Sequence, residues 1–206
     1  DALQNTLLDH NLQLTDTGHK QRLDERLQNH IRQHHAVRRK AGIEYPEVDI
    51  RAVWKDFLEE LSKENWAKST VDTDVTTLSV DYETRINPVQ LMPGLEEALA
   101  SLRERKLFMS IISNAQFYTP LLFEALLGQS HKSLGLCPDC AVWSYKLLEA
   151  KPSTKLYEES AISLYKRHNI LPKEVLYVGN DIRNDIWPAQ EVGFKTALFA
   201  GDRLSL

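Results

Sequence analysis

Ten consecutive residues, Leu176-Tyr177-Val178-Gly179-Asn180-Asp181-Ile182-Arg183-Asn184-Asp185, release carboxylates and amides directly after an apolar run that ends in glycine. The pattern reads as a strand, a tight turn and a helix start. Its polar groups then stand at the carboxyl edge of a parallel sheet, where open α/β folds bind ligands. Asp181, Asp185 and the Asn180 amide offer hard oxygen ligands, the donor type Mg²⁺ takes. The same residues also suit a helix N-terminus, with Asn180 or Asp181 capping and Asp185 favouring the dipole. The turn alone admits both readings.

Two upstream stretches carry related chemistry. The nearly continuous apolar run 107–112 reads as a strand buried on both faces, and it delivers Ser113 and Asn114 at its tip. A hydroxyl and an amide beside free backbone N–H groups make a pocket for an oxyanion or phosphate, although capping alone also accounts for a serine there. Downstream, Lys151 precedes Pro152. The proline disfavours a helical conformation for the lysine, which then projects from a loop. An ammonium at a sheet edge can neutralise a nucleophilic carboxylate and a phosphoryl group.

The elements that must position these groups follow from periodicity. Strands are expected near 107–112, 141–144, 175–178 and 196–199, alternating with helices that open at Pro93-Gly94 and run near 121–127, 156–165 and 186–192. In the helix after Pro93-Gly94, Leu95, Ala98, Leu99 and Leu102 are expected to face inward. Strands alternating with helices imply a parallel sheet, and right-handed crossovers put the strand-end loops on one edge. The segment before Pro88 differs. Leu23, Leu27 and Ile31 share one helical face, as do Val53, Phe57 and Leu61 beyond the break at 42–46, and no strand is evident. His30 and His34 lie one helical turn apart, but no acidic or cysteine partner is fixed near them in sequence.

The ordered set, strand–Ser-Asn, Lys-Pro–helix, strand–Gly-Asn-Asp-x-x-x-Asp–helix, resembles the haloacid dehalogenase (HAD) superfamily of Mg²⁺-dependent phosphatases and related hydrolases. Ser113 matches its second motif, Lys151 its third and Gly179 to Asp185 its fourth. The resemblance implies an α/β fold with a Rossmann-like parallel sheet core, residues 1–11 and 88–206, and an inserted α-helical cap, residues 12–87. It also implies chemistry through an aspartyl-phosphate, with Mg²⁺ bridging nucleophile and phosphate. The site residues would be Asp1 as nucleophile, and Ser113 with Asn114 and Thr6 on the phosphoryl oxygens. Lys151 would balance charge, while Asp1, Asn180, Asp181 and Asp185 would hold Mg²⁺ directly or through water. The substrate would be a small phosphorylated metabolite or, secondarily, a halo-acid.

The first motif of that superfamily, Asp-x-Asp-x-Thr-Leu, meets Asp1-Ala2-Leu3-Gln4-Asn5-Thr6-Leu7. Anchoring on Asp1 needs one extra residue before Thr6 and puts Leu3 at the acid/base position. Anchoring on Thr6-Leu7 puts Ala2 at the nucleophile and Gln4 at the acid/base. Neither frame supplies the second carboxylate, whose proton transfer is worth roughly 10²–10⁴-fold. Asn180 also stands where an acidic residue is usual. These departures sustain a rival expectation, a catalytically silent relative that binds phosphate or a protein. The central first strand of the fold would immediately precede Asp1, so the chain is expected to continue before it; a clipped end beyond Leu206 is a further expectation.

Bulk properties restrict the classes further. At 206 residues, 42% hydrophobic and 26% charged, the chain suits a globular protein with one core or a core and an insert. A net charge of −4 gives no support for nucleic-acid or anionic-membrane binding, and Arg38-Arg39-Lys40 reads as a solvated helix end. No apolar run reaches bilayer-spanning length. The only cysteines, Cys137 and Cys140, have no second pair to complete a zinc site and are expected to be reduced thiols in a cytoplasmic protein. Substrate identity and oligomeric state have no sequence signal.

Overall fold

Leu23 and Leu27 fall on one stripe of helix α3 (Leu23–Lys40), and Val53, Phe57 and Leu61 on one stripe of α4 (Ile50–Lys63); all five side chains are buried. Such stripes fold only by covering one another, and α3 packs on α4. The computed structural model describes residues 1–69 and 72–200. Its contacts divide into two units, Asp1–Ala41 with Val48–Gln90, and Gly42–Glu47 with the chain from Leu91 onward. No helix among the described residues is long and apolar enough to cross a membrane.

The first unit also holds α1 (Ala2–Asp9), β1 (Leu12–Leu14), α2 (Asp16–His19), β2 (Ala67–Ser69) and α5 (Val75–Ile86). Leu3 and Leu7, one turn apart on α1, join Leu12, Trp54, Phe57 and Leu78 in its core. The contacts therefore place residues 1–11 with the helical segment, where the sequence suggested the α/β core. The reason is local: a helix with leucines at i and i+4 buries them against the nearest apolar faces, here α5 and β1. A second difference is the antiparallel pair β1–β2, with Gln13 opposite Lys68, in a segment expected to lack strands. Three-residue strands are too short to show a period of two, and each partner is remote in sequence. The basic run ends α3, where cations suit the dipole.

The second unit contains α6 (Leu95–Glu104), β3 (Ile112–Ser113), α7 (Leu121–Leu127), β4 (Val142–Trp143), α8 (Ser144–Leu147), α9 (Lys155–His168), β5 (Leu176–Gly179), α10 (Trp187–Glu191) and β6 (Lys195–Leu198). The fold is α/β, with parallel pairs and crossover helices. β3 pairs parallel with β4 and β5 parallel with β6. Val142, Leu156, Tyr157, Ala189 and Phe194 form the buried core under both pairs, with Ile112 and Tyr177 against it.

Within this α/β fold the parallel ladders are short. β3 and β5 are linked by a side chain, the Tyr177 hydroxyl 3.3 Å from the Ile112 carbonyl, and belong to separate two-stranded ladders. The run 107–112 is strand only at its end. Met109 makes a single bridge to Leu136, while Leu107 and Phe108 are exposed. An apolar run becomes strand only where a neighbour's ladder reaches it. On α6 no side chain is buried, and Ala98 and Leu102, expected inward, are exposed.

Candidate functional site

Gly179 ends β5, and its lack of a side chain shapes the turn beyond it. A Cβ built there would lie 2.3 Å from the Cβ of Asp185, so Asp185 folds back over the strand end only because residue 179 is glycine. Asp181 caps the wide π-type turn Ile182–Ile186, its Oδ1 accepting from the Asn184 N–H at 2.7 Å and its Oδ2 from the Asn184 side-chain amide at 2.8 Å. Asp181 thus caps the turn, as one reading of it expects. Asp185 has a different environment: it is 3% exposed and faces a cation.

That cation is Lys151, whose Nζ lies 2.5 Å from Asp185 Oδ1. Tyr177 OH stands 3.0 Å from the same oxygen, and the Asn180 and Asp181 backbone N–H groups donate to Oδ2 at 3.0 and 3.1 Å. Burial alone would raise the Asp185 pKa. The Lys151 hydrogen bond and charge, with the Asp181 N–H and the Tyr177 hydroxyl, outweigh it and hold the carboxyl below its ordinary range. Burial pushes the Tyr177 phenol up, aided by the Asp185 charge, so near neutral pH it is a hydrogen-bond donor.

Lys151 is itself held at its backbone. Its N–H donates to Asn114 Oδ1 at 2.7 Å, and the Asn114 amide donates back to the Lys151 carbonyl at 3.3 Å. Tyr177 completes the linkage, standing 3.5 Å from Lys151 Nζ as well as touching the Ile112 carbonyl. The tip of β3, the Lys151 loop and the Gly179 turn therefore meet in the second unit. Ser113 is half-buried there, with its hydroxyl donating to the Asn114 carbonyl at 3.1 Å.

Sequence reasoning brought Ser113, Asn114, Lys151, Asn180, Asp181 and Asp185 to this rim. It missed three neighbours. Tyr177 looked like one more apolar strand residue, although its place two before Gly179 is the signal for a side chain at the strand end. Ser144 donates to the Ala115 carbonyl at 3.2 Å and lies 2.9 Å from Glu47 Oε2, while the Ala115 N–H donates to Ser144 Oγ at 2.8 Å. Glu47 arrives on a segment bridged to the Lys151 loop, Pro46 opposite Glu149. No local pattern marks that pairing.

Asp1 and Thr6 lie in the first unit. Asp1 caps α1, with Oδ1 accepting from the Leu3 N–H at 2.9 Å. Thr6 is fully buried, and its hydroxyl has no hydrogen-bond partner among the described residues. The histidines also acquire partners: His30 pairs with Glu60 at 2.6 Å and His34 with Asp56 at 2.8 Å, carboxylates of α4 that spacing within α3 could not reveal. Burial and the neighbouring Cys137 push the Cys140 thiol up to about 11, which does not suit a redox nucleophile.

The oxygen donors of the Gly179 turn fit Mg²⁺. Asp185 already accepts four donors, the capacity of a carboxylate, so it serves as the anchor of Lys151. Asp181 retains lone pairs beyond its two bonds to Asn184, and the Asn180 side chain is exposed beside it. One carboxylate and one amide oxygen, with water completing the shell, form a hard-cation donor set.

A family model described as haloacid dehalogenase-like hydrolase matches residues 24–199. Among curated protein sequences none matches the chain. Among solved structures, a HAD phosphatase from Thermococcus onnurineus is similar at 19% identity and a TM-score of 0.48, covering 73% of this chain and 61% of its own. The HAD-hydrolase YfnB from Bacillus subtilis, bound to magnesium, is similar at 16% identity and a TM-score of 0.49, covering 98% of this chain and 81% of its own. CbbY from Rhodobacter sphaeroides, in complex with phosphate, is similar at 11% identity and a TM-score of 0.49, covering 98% and 79%. The chain thus spans under two thirds of the first of these and about four fifths of the others.

Proposed function

Because the chain belongs to the haloacid dehalogenase-like hydrolase family, we propose that it hydrolyses a small phosphorylated metabolite through an aspartyl-phosphate on Asp1. The observation that carries this reading is the buried Lys151–Asp185 pair, held against the tip of β3 by Asn114 and Tyr177. A lysine fixed at that edge offers an ammonium to a phosphoryl oxygen without first having to be ordered.

In this reading the Asp1 carboxylate attacks phosphorus and the substrate's alcohol leaves. Water then cleaves the acyl phosphate, returning Asp1 and releasing inorganic phosphate. The Ser113 hydroxyl donates to a phosphoryl oxygen and Lys151 neutralises developing charge, while Asp185 keeps Lys151 in place. Asn114 acts through Lys151, since its amide is engaged on that backbone. Thr6 would contact the phosphoryl group once its hydroxyl finds a partner. Asn180 and Asp181 would hold Mg²⁺, which supplies charge neutralisation between nucleophile and phosphate; Asp185 would reach it by exchanging one of its donors for water. With Asp1 as nucleophile, Leu3 stands at the acid/base position, so the leaving group draws its proton from water. Substrates with acidic leaving groups are therefore favoured. A cytoplasmic setting suits the thiols and the substrate class.

Turnover of para-nitrophenyl phosphate with Mg²⁺, abolished in Asp1→Asn and in Lys151→Ala, is the expected result. The buried Thr6 hydroxyl and the uncharged Ala2, Gln4 and Asn180 favour a second reading, a silent phosphate-binding relative. It expects phosphate binding by calorimetry, lost in Lys151→Ala, with no turnover in any variant.

A further inference from the structure

Cys137-Pro138-Asp139-Cys140 lacks a second cysteine pair, but the fold supplies another ligand. Pro138–Cys140 is a single tight 3₁₀ turn, and His168 is the last residue of α9. The two sulfurs and one imidazole nitrogen all lie within 4.8 Å of one another, with Cys137 Sγ 3.7 Å from His168 Nε2. Around a tetrahedral zinc, bond lengths of about 2.3 Å to sulfur and about 2.0 Å to nitrogen put ligand atoms roughly 3.5–3.8 Å apart. Cys137 and His168 already stand at that separation, and the widest pair needs to close by about 1 Å.

We propose that Cys137, Cys140 and His168 bind a thiophilic divalent cation, Zn²⁺ in the first place, with water as fourth ligand. The ligand atoms are soft sulfur and imidazole nitrogen, which select zinc over the hard cation suited to the Gly179 turn. Two thiols lose their protons to solvent on binding and His168 ligates as neutral imidazole through Nε2, so the two thiolates balance the cation's charge. The framework holds the ligands from both sides. The Cys137 N–H donates to the Met109 carbonyl at 2.8 Å, next to the Met109–Leu136 bridge, and the Phe108 ring stands 4.4 Å from the His168 imidazole. Cys140 is fully buried.

The position assigns the role. The cysteines precede β4, and Ser113 ends the parallel strand β3. They therefore lie at opposite edges of that pair. The α9 helix starts shortly after Lys151 and runs back to His168, so the cation ties the end of α9 to the loop before β4. It is a structural clamp, and it does not depend on the phosphatase reading.

The test uses the full chain, purified under reducing conditions, loaded with Zn²⁺ and desalted. One tightly held zinc per chain is expected, with a rise in Tm over the metal-free protein. Cobalt substitution is expected to give a thiolate-to-metal charge-transfer band. Stoichiometric binding and the band are lost in His168→Ala, whose exposed position leaves the fold intact by circular dichroism, and in Cys140→Ser. Failure to load zinc or cobalt overturns the proposal. So does zinc retained in the Cys137→Ser/Cys140→Ser variant, or a Cys137–Cys140 disulfide as the resting state of the reduced-purified chain.

Discussion

Lys151 and Asp185 form an ion pair at 2.5 Å with only 13% and 4% of their side-chain surfaces exposed. Removing one partner strands the other charge in a poorly hydrated place. Lys151→Met is expected to destabilise the second unit by about 3–5 kcal/mol. The double variant Lys151→Met/Asp185→Asn recovers part of that loss, because no charge is then left alone. Urea unfolding of the two singles and the double gives the coupling; additive losses would contradict it.

Gly179→Ala tests the contact that brings Asp185 over the strand. The new Cβ would sit 2.3 Å from Asp185 Cβ and 2.7 Å from its Oδ2, so either β5 shifts or the side chain leaves Lys151. Stability is expected to fall by about 1–3 kcal/mol, the usual cost of overpacking. Under the proposed phosphatase reading turnover falls with it, and a variant as stable and active as the parent would show that Asp185 can hold Lys151 from elsewhere.

Stability should also depend on acid in a particular direction. Asp185 is depressed in the folded chain by Lys151 and its hydrogen bonds against the opposing effect of burial, and Asp49 is depressed by Arg51. A group with a folded pKa below its unfolded value of about 3.9 binds protons more tightly when unfolded. Its contribution is therefore complete above about pH 5 and disappears as pH falls through the folded value. Urea midpoints between pH 7 and pH 3 are expected to decline, and to decline less steeply in Asp185→Asn. An unchanged slope in that variant would assign the acid sensitivity to other carboxylates.

Thr6→Val separates a structural hydroxyl from a functional one. The Thr6 hydroxyl is fully buried without a partner among the described residues, which costs about 1–3 kcal/mol relative to a paired group. An apolar side chain of the same shape is expected to raise the stability of the first unit by roughly 1 kcal/mol. If the hydroxyl serves the phosphoryl group, para-nitrophenyl phosphate turnover falls while the melting temperature rises.

Much of the candidate site could be read from local pattern. The Gly179 to Asp185 turn, the Lys151-Pro152 step and Ser113-Asn114 are each contiguous, and a strand tip leading into a helix needs no distant partner to be recognised. What each side chain does there was not legible. Asp185 reads in sequence as a cation ligand, with no sign there that its carboxylate pairs with Lys151; Asn114 reads as a phosphate donor, and nothing local shows that its amide meets the Lys151 backbone. His30 and His34 looked unpartnered because their carboxylates belong to another helix.

The chain's own order of residues determined the helical stripes of α3 and α4, the parallel strand–helix alternation and the three rim motifs, because periodicity and turn chemistry act between near neighbours. Tertiary structure alone decided the rest. It set the division at residues 41 to 48 and 90, joined β3 to β5 through Tyr177, and gathered His168 with Cys137 and Cys140. Those outcomes depend on which surfaces meet after folding. A spacing of 28 residues between Cys140 and His168 carries no geometric information until α9 runs back along the sheet.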